Sequence, residues 1–542
     1  MNSIYNIVAT IMGFLIPIFI VKKELKKEDT IINFIHTNKY YIIVYATFVI
    51  GFLVRLVGIA DFPNALNVDE LSGGYDAYSI LNFGIDRNGN FLPVYLEAWG
   101  SGQSAMYAYL IIPFINILGL NILTTRLPMA IIGCISLFLI YRILKKTNKN
   151  SLIVIGTIFF AITPWHIMKS RWGMDCNIFP DFILYATFFI IKFLEEKKSR
   201  DIYIASLIIG LSAYTYATSF FFLPVFVLIL MTYLIWKKEI SIRQIFFSIG
   251  IIIIITFPMI LYVIINKFNL EPIRFLFTIP VLTENRFEEV SNVFSSDFFK
   301  TSLLNFKKSI MILITQNDNL GWNELPIYGI AYIISSPFMI IGIIKSFKIK
   351  NKINHIFNIW FIASLLLLFV VEPNINRINI IIIPLIYYTI LGIEYVFEEF
   401  GLAKIFLPII YISLFICFEI SYFSTDWNKY FTFNNEVENV IKYVDKVDKE
   451  KIYFEYSFKE PYIYICFYNK IDTREYIETV KYKSNKGFDR VESFGKYYFY
   501  IPNEKEQNAI YVIKAENEAK YKFDDKKWSK KYIDNFVVIE EE

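Results

Sequence analysis

The apolar stretch YYIIVYATFVIGFLVRLVGI, residues 40–59, is followed after one alanine by DFPNALNVDELSGGYDAYSILNFGIDRNGNFLPVYLEAWGSGQS, residues 61–104. The first stretch has roughly the 20 apolar residues that a helix needs to cross a bilayer. The second is the first long polar interruption in the chain, and it carries adjacent carboxylates at Asp69 and Glu70. This pattern predicts membrane helices that hold a chemically active loop, since rigid scaffolds often present function on loops.

The composition of the whole chain supports a membrane protein. Of 542 residues, 55% are hydrophobic and only 19% are charged, whereas soluble proteins are typically more charged and have shorter apolar runs. The net charge is +4, and no block of basic residues indicates nucleic-acid binding. Its four cysteines have no metal-like spacing, so neither a zinc site nor a disulfide framework is expected.

Apolar runs recur along residues 1–423 and predict about twelve transmembrane helices. Lys and Arg cluster in alternate loops, beginning with the basic residues that follow the first run. Since such residues stay in the cytoplasm, both termini and the loop 61–104 are expected outside. The apolar run 105–118 is short for a span and is predicted to dip into the outer leaflet. The predicted spans are 4–21, 40–59, 122–143, 152–168, 178–194, two within 202–236, 245–265, 326–344, 356–371, 378–397 and 403–423.

The C-terminal part of the chain, residues 424–542, has a different composition. Charges are dense, and stretches rich in Tyr, Phe, Val and Ile predict strands. A helix is expected at 435–446, and strands at 451–457, 496–502, 509–514 and 536–540. The predicted fold class is therefore an all-α polytopic membrane protein, residues 1–423, with a small extracytoplasmic α/β domain, residues 424–542.

The acidic pair in the first loop is the first candidate for chemistry. Adjacent side chains point in different directions in a helix or a strand, so one of Asp69 and Glu70 would face a substrate. The other would orient the backbone or a cation. A divalent cation is compatible with the pair but is not demanded by it. The alternative is a solvated loop with ordinary acids.

Three arginines at predicted outer ends of spans run against the positive-inside trend. They are Arg126 in TTRLP, Arg171 in SRWGMDCN and Arg377 in EPNINRIN. The guanidinium fork suits a phosphate ligand, although arginines at such positions also extend to lipid phosphates. Asp175 follows Arg171 in the same loop and is a further candidate acid.

The order of these motifs resembles a known family. The DE pair is followed by G-x-D-x-x-G at 84–89, Leu92-Pro93, an apolar helix ending in Leu118-Gly119, and T-R-L-P at 125–128. This set is similar to the GT-C glycosyltransferases, specifically the glycosyltransferase family 39 branch of protein O-mannosyltransferases and aminoarabinose transferases. The resemblance covers roughly residues 40–393 and includes 164–171, 210–224 and 376–385.

The resemblance implies an enzyme that uses a polyprenyl-phosphate-linked sugar and inverts the anomeric centre. It implies Asp69 as the general base, Glu70 as a supporting residue and Asp175 as a second acid. It implies Arg126, Arg171 and Arg377 as candidates for the donor phosphate. The lysine of the K-P-P-L motif in aminoarabinose transferases has no counterpart here, because residues 102–107 read GQSAMY.

The predicted function is transfer of a hexose or pentose to an acceptor hydroxyl on the outer face of a bacterial plasma membrane. The expected partners are the lipid donor, membrane lipids and an envelope acceptor that is a protein, a polymer or a lipid. The main alternative is a polytopic transporter or flippase for a lipid-linked or envelope glycan. A transporter would place ionisable residues within its spans, whereas here they concentrate near the outer ends.

Overall fold

A computed structural model describes residues 2–28, 30–283, 291–293, 297–424, 436–485, 488–524 and 527–541. These residues form two compact units. Unit 1 comprises the described residues of 1–62, 126–260 and 287–431. Unit 2 comprises those of 63–125, 261–286 and 432–542.

Helices make up most of the chain. Those of the first half are α1 (Asn2–Val21), α2 (Ile31–Leu56), α3 (Val68–Phe83), α4 (Met106–Leu118), α5 (Ile122–Lys145), α6 (Asn150–Ile162), α7 (Pro164–Ser170), α8 (Asp175–Glu196), α9 (Ser199–Ser212), α10 (Ser219–Trp236) and α11 (Ile242–Phe268). Those of the second half are α12 (Phe298–Thr315), α13 (Ser336–Lys348), α14 (Lys352–Val370), α15 (Ile375–Ile378), α16 (Ile382–Glu399), α17 (Ala403–Tyr422), α18 (Val437–Val444), α19 (Pro461–Asn469) and α20 (Thr473–Thr479).

The apolar helices confirm an integral membrane protein with a polytopic helical fold. Within the described ranges, nine helices are long and apolar enough to cross a membrane. The pair α6 and α7, bent by 55°, makes ten if it is one span. The predicted number of about twelve is therefore too high. The reason is helix length: α9 has 14 residues and α13 has 13, and at 1.5 Å per residue both are about 20 Å long, short of a ~30 Å hydrocarbon core.

The break predicted near Thr218 and Ser219 within 202–236 is present, and a turn also shortens the span predicted at 326–344. Residues 213–218 separate α9 from α10, and residues 326–332 precede α13. The short apolar helix expected at 105–118 is present as α4. Its position in the outer leaflet stays a prediction.

Unit 2 contains two short antiparallel pairs and one larger sheet. The pairs are β1 (Tyr95–Leu96) with β2 (Gln103–Ser104) and β3 (Ile273–Arg274) with β4 (Thr278–Ile279). The strands of the larger sheet are β5 (Lys451–Phe454), β6 (Lys481–Asn485), β7 (Phe488–Phe494), β8 (Tyr497–Tyr498), β9 (Ala509–Lys514), β10 (Trp528–Ile533) and β11 (Phe536–Glu541).

This seven-stranded mixed sheet has the order β10-β11-β9-β5-β8-β7-β6. Strand β5 lies at its middle and is parallel to both β9 and β8, while the other pairs are antiparallel. The sheet confirms a small C-terminal sheet domain.

The sequence predictions for this sheet are partly accurate. Strands β5, β9 and β11 lie where they were expected, but the strand expected at 496–502 is only the two-residue β8. Strands β6, β7 and β10 were not predicted. The helix expected at 435–446 is present as α18, and its first predicted residue lies outside the described residues.

Helix α3 of the first polar loop packs against C-terminal residues inside unit 2. The hydroxyl of Tyr75 donates to the carbonyl of Ile471 at 3.0 Å. Gly74 faces the ring of Phe467 so closely that a Cβ added to Gly74 would lie 2.8 Å from that ring. The first polar loop and the C-terminal residues therefore pack together within unit 2. The division of the chain into residues 1–423 and 424–542 stays a prediction.

Candidate functional site

The acidic pair stands at the beginning of α3, and the structure gives its two members different surroundings. Asn67 is the N-cap, and its side chain accepts a hydrogen bond from the backbone N–H of Asp69 at 2.8 Å. The buried Glu70 carboxylate accepts from the backbone N–H of Asn67 at 3.1 Å, which completes a capping box. This arrangement satisfies backbone donors that the helix cannot satisfy itself, so Glu70 holds the start of the helix.

Asp69 is only half-buried. Its Oδ1 accepts a hydrogen bond from the indole Nε1 of Trp99 at 2.7 Å, and its backbone carbonyl accepts from the Gln103 side chain at 3.2 Å. A carboxylate in the first turn of a helix is also stabilised as an anion by the helix dipole. Asp69 is therefore an oriented carboxylate that solvent can reach.

Trp99, which fixes Asp69, has an unusual backbone. Its φ of +52° lies in the left-handed region, which costs of order 1–3 kcal/mol for a residue other than glycine. Its ring lies beneath the guanidinium carbon of Arg87 at 5.3 Å and against Tyr462 at 6.3 Å. The loop thus accepts strain to bring this indole to the acid.

The buried Arg87 connects α3 with the loop that follows it. Arg87 donates to the hydroxyl of Ser72 at 2.7 Å and to the carbonyl of Glu97 at 3.2 Å, and its guanidinium lies 3.2 Å from the Asp76 carboxylate. Together with Asp69 and Trp99 these residues form the loop cluster (Asp69, Ser72, Asp76, Arg87, Trp99). Sequence reasoning missed the contribution of Arg87, although it lies inside the G-x-D-x-x-G motif.

The aspartate of that motif, Asp86, shapes the turn that follows. Its Oδ1 accepts from the backbone N–H groups of Asn88 and Asn90 at 2.9 and 2.8 Å, and its Oδ2 accepts from the Asn90 amide at 3.2 Å. Burial and, to a smaller extent, the negative charge of Asp76 together raise the pKa of Asp86 to about 7. Gly89, with φ of +82°, closes the turn.

In unit 1, Arg126 and Arg171 come together on the backbone that follows α2. The Arg171 guanidinium donates to four carbonyls, those of Val54, Val57, Gly58 and Phe62, at 2.8–3.2 Å. Arg126 donates to the carbonyl of Ile59 at 3.1 Å, and both side chains are fully buried. They cap a helix end whose carbonyls lack partners of their own. Their predicted role at a phosphate stays a prediction.

Arg377 and Asp175 have other surroundings. Arg377 lies on the short helix α15 and pairs with the exposed Glu372 at 3.0 Å, and its own side chain is 15% exposed. Asp175 is the first residue of α8 and is 7% exposed. Its Oδ1 accepts from the backbone N–H of Cys176 at 2.8 Å. Of the three predicted phosphate ligands, Arg377 is thus the one that is partly open to solvent.

Close to the α15 segment lies a buried carboxyl group that sequence reasoning did not single out. Glu324 is fully buried, and in the described chain neither of its oxygens has a hydrogen-bond partner. Burial and, to a smaller extent, the negative charge of Asp318 together raise the pKa of Glu324 to about 9. Asp318 in turn accepts from the backbone N–H of Ile375, the first residue of α15, at 2.7 Å.

A second buried network, the helix cluster, joins α2, α5, α7 and α8 in unit 1. It consists of Arg55, Ser136, His166, Lys169 and Asp181, all of them buried. Arg55 donates to Nδ1 of His166 at 2.9 Å, which assigns the imidazole proton to Nε2, 3.5 Å from Asp181. Lys169 pairs with Asp181, and Ser136 donates to the same carboxylate at 2.6 Å. Sequence reasoning missed this network, because its members lie in separate apolar runs.

Across the described ranges, no group of three or more His, Cys, Asp or Glu side chains could hold a metal ion. The sequence-based expectation that a divalent cation is compatible with the acidic pair stays a prediction.

Comparisons with known proteins bear on the fold. A family model described as dolichyl-phosphate-mannose-protein mannosyltransferase matches residues 103–265, a range that includes Arg126, Arg171 and Asp175. The crystal structure of ArnT from Cupriavidus metallidurans in the apo state is similar with a TM-score of 0.58 at 10% identity, over 93% of this chain and 98% of that one. The structure of the same protein bound to undecaprenyl phosphate has a TM-score of 0.53 at 10% identity, with the same coverage. No curated protein sequence matches this chain.

These findings confirm the predicted resemblance to the GT-C glycosyltransferases and the GT-C type of fold. The roles of the individual site residues are not decided by them.

Proposed function

We propose that this protein is an inverting glycosyltransferase that moves a sugar from a polyprenyl-phosphate-linked donor to an acceptor hydroxyl. The observation that carries the proposal is the environment of Asp69. Its carboxylate is half-buried, is oriented by the Trp99 indole at 2.7 Å, and stands on a helix start that Glu70 fixes. A general base needs this combination of orientation, charge and access.

The proposed chemistry assigns a different task to each acid. The Asp69 carboxylate accepts the proton of the acceptor hydroxyl while the acceptor oxygen forms a bond to the anomeric carbon. The bond from that carbon to the phosphate oxygen breaks on the opposite face, so the configuration inverts. Glu70 keeps α3 in place, and Asp175 remains a candidate for a further acid.

The departing phosphate gains negative charge, which a guanidinium group stabilises by charge-assisted hydrogen bonds. Among the candidate arginines, Arg377 is best suited to this task, since its side chain is partly exposed and its carboxylate partner, Glu372, is itself exposed. Arg126 and Arg171 are proposed to act by fixing the backbone at residues 54–62.

The lipid donor is supported by the ArnT structure bound to undecaprenyl phosphate, whose fold this chain shares. The match of residues 103–265 to a model of protein mannosyltransferases that use a dolichyl-phosphate sugar agrees with a donor of this class. The acceptor is proposed to be a hydroxyl group of the cell envelope.

The decisive experiment compares turnover and donor binding in Asp69→Asn and in the wild type, with a panel of labelled polyprenyl-phosphate hexoses and pentoses. Asparagine retains an oxygen for the Trp99 indole but is not basic. Turnover should fall by roughly 10²–10⁴-fold, because a positioned base contributes about that much. Donor affinity should change little.

Glu70→Gln is the matched control, because its side-chain oxygen still accepts from the backbone N–H of Asn67. It should keep most of the turnover. If Asp69→Asn retains full turnover, or if Glu70→Gln alone abolishes it with donor binding intact, Asp69 is not the base.

We further propose that the first loop and the C-terminal sheet lie on the outer face of a bacterial plasma membrane, as the distribution of Lys and Arg predicts. Cysteines introduced at the exposed positions Asn82 and Asn503 should react with a membrane-impermeant thiol reagent on intact cells. A cysteine at the exposed Asn148 should react only after the cells are opened. The reverse pattern would contradict this orientation.

A further inference from the structure

A cavity of about 860 Å³ opens between α1, α5 and α8 within unit 1. Its lining combines apolar side chains such as Ile16, Phe19 and Phe138 with four cations, Lys23, Arg142, Lys145 and Lys146. The proposed glycosyl transfer makes no use of this cavity, so its chemistry is a separate question.

The cations outnumber the acids at the cavity. Lys145 pairs with Glu24, and Lys146 pairs with Glu195. Lys23 and Arg142 are exposed, and neither has a carboxylate partner in the part of the chain that the structure describes. Because these two charges are not neutralised, the cavity favours an anionic ligand.

The apolar lining specifies the ligand further. Only 22% of the membrane-crossing part of α1 is buried in the protein, and Phe19 is 73% exposed. The Arg142 guanidinium lies 5.6 Å above the Phe138 ring, so a cation and an apolar wall meet within one helical turn of α5. A small soluble anion would use only the cations, whereas a lipid would use the apolar lining as well.

We propose that this cavity binds an anionic glycerophospholipid. Its phosphate would lie at Lys23 and Arg142, and its acyl chains would cover Ile16, Phe19 and Phe138. Basic pockets between membrane helices typically bind anionic headgroups, and each cation near the surface contributes a few-fold to binding. The lipid would also bury the apolar face of α1 that the protein itself leaves exposed.

The test is native mass spectrometry of the purified full chain in detergent with an equimolar mixture of phosphatidylglycerol and phosphatidylcholine that have identical acyl chains. The wild type should retain phosphatidylglycerol preferentially. Lys23→Ala combined with Arg142→Ala should reduce that preference by about fivefold per cation removed. Lys348→Ala combined with Lys350→Ala removes two exposed cations outside the cavity lining and should leave the preference unchanged.

A second measurement does not depend on the variants. Phosphatidylglycerol with a photoactivatable acyl chain should label peptides that contain Phe19 or Phe138. Equal retention of the two lipids, an unchanged preference in the Lys23/Arg142 variant, or labelling of other peptides alone would overturn the proposal. Displacement of the lipid by excess inorganic phosphate would also overturn it, because the cavity would then be a site for a soluble anion.

Discussion

The loop cluster of unit 2 and the helix cluster of unit 1 both contain an arginine, an aspartate and an aromatic or imidazole ring. They differ in whether a member of the cluster is exposed to solvent. In the helix cluster, Arg55 contacts His166, both His166 and Lys169 face Asp181, and every member is buried. In the loop cluster, the chain of contacts from Arg87 through Trp99 ends at Asp69, which is half-exposed. The first network is closed, and the second is open at one carboxylate.

The difference indicates what each network does. Arg55 also donates to the carbonyls of Phe160 and Ala161 at 3.3 and 3.0 Å, just before the 55° bend between α6 and α7. Backbone groups freed at a break within a membrane need such partners. The helix cluster therefore stabilises a broken helix, whereas the open carboxylate of the loop cluster is available for chemistry.

The positions of the buried charges in the helix cluster also bear on the transporter alternative. Arg55 is in the last turn of α2, and Asp181 lies about 9 Å along α8 from its start at 1.5 Å per residue. The charged groups lie within about two turns of helix ends, and they are paired with one another. A substrate pathway near the bilayer centre would need ionisable groups farther inside.

Breaking the closed network should have the largest effect on stability. Asp181→Asn keeps the shape but leaves the buried Lys169 without its counter-charge, which should lower the free energy of unfolding by about 3–5 kcal/mol. Thermal unfolding of the purified protein in detergent measures the loss. Combining Asp181→Asn with Lys169→Met removes both charges and should recover most of it. An unchanged melting temperature in the single variant would show that the ion pair contributes nothing to stability.

The arginines show the same contrast. The Arg171 side chain is buried and donates to backbone carbonyls, whereas the Arg377 side chain is partly exposed. Arg377→Ala should weaken binding of the polyprenyl-phosphate donor by about 10–100-fold, since one charge-assisted hydrogen bond contributes roughly 1.5–3 kcal/mol. Arg377→Lys should restore only part of the affinity, because the planar fork is lost. Direct binding of a labelled donor lipid is the measurement.

Arg171→Ala is the matched comparison. It removes the donor to four carbonyls and should lower the melting temperature, with any loss of donor binding following the loss of folded protein. If Arg377→Ala binds donor normally while folded Arg171→Ala does not, the two roles are reversed, and Arg171 rather than Arg377 binds the donor.

The smallest expected effect concerns Glu324, a buried acid that belongs to neither network. Its pKa is raised to about 9 by burial and by Asp318, so the protonated form is the stable one in the folded protein. Its contribution to stability is present at low pH and is lost as the pH rises from about 5 towards 9. Melting temperatures of the wild type should therefore fall across this range more than those of Glu324→Gln. Parallel curves for the two proteins would contradict this.

The sequence predicts the membrane helices well, because hydropathy reports burial in lipid directly. The break within 202–236 was expected near Thr218 and Ser219 and is present, but the number of spans is overestimated, since α9 has only 14 residues and α13 begins only at Ser336. Only tertiary packing decides where these helices begin and end. Strands β5, β9 and β11 follow from their apolar composition, whereas the polar edge strand β10 carries no such signal.

At the candidate site, the sequence identifies the acids but not their partners. The division of labour between Asp69 and Glu70 could have been inferred, because Asn67 and Glu70 have the spacing of a capping box. The contact of Trp99 with Asp69 could not, since it depends on a positive φ in an irregular loop. The carbonyl partners of Arg171 likewise depend on the path of the backbone after α2.

The close approach of Gly74 to Phe467 has an evolutionary consequence. Any other residue at position 74 would bring its Cβ against a ring that is 2% exposed and has no room to withdraw. A larger residue on α3 is tolerated only if the aromatic residue on α19 becomes smaller in the same lineage. We therefore expect α3 and α19 to tolerate changes only as a matched pair, and a C-terminal segment exchanged from a distant homologue should fail unless α3 is exchanged with it.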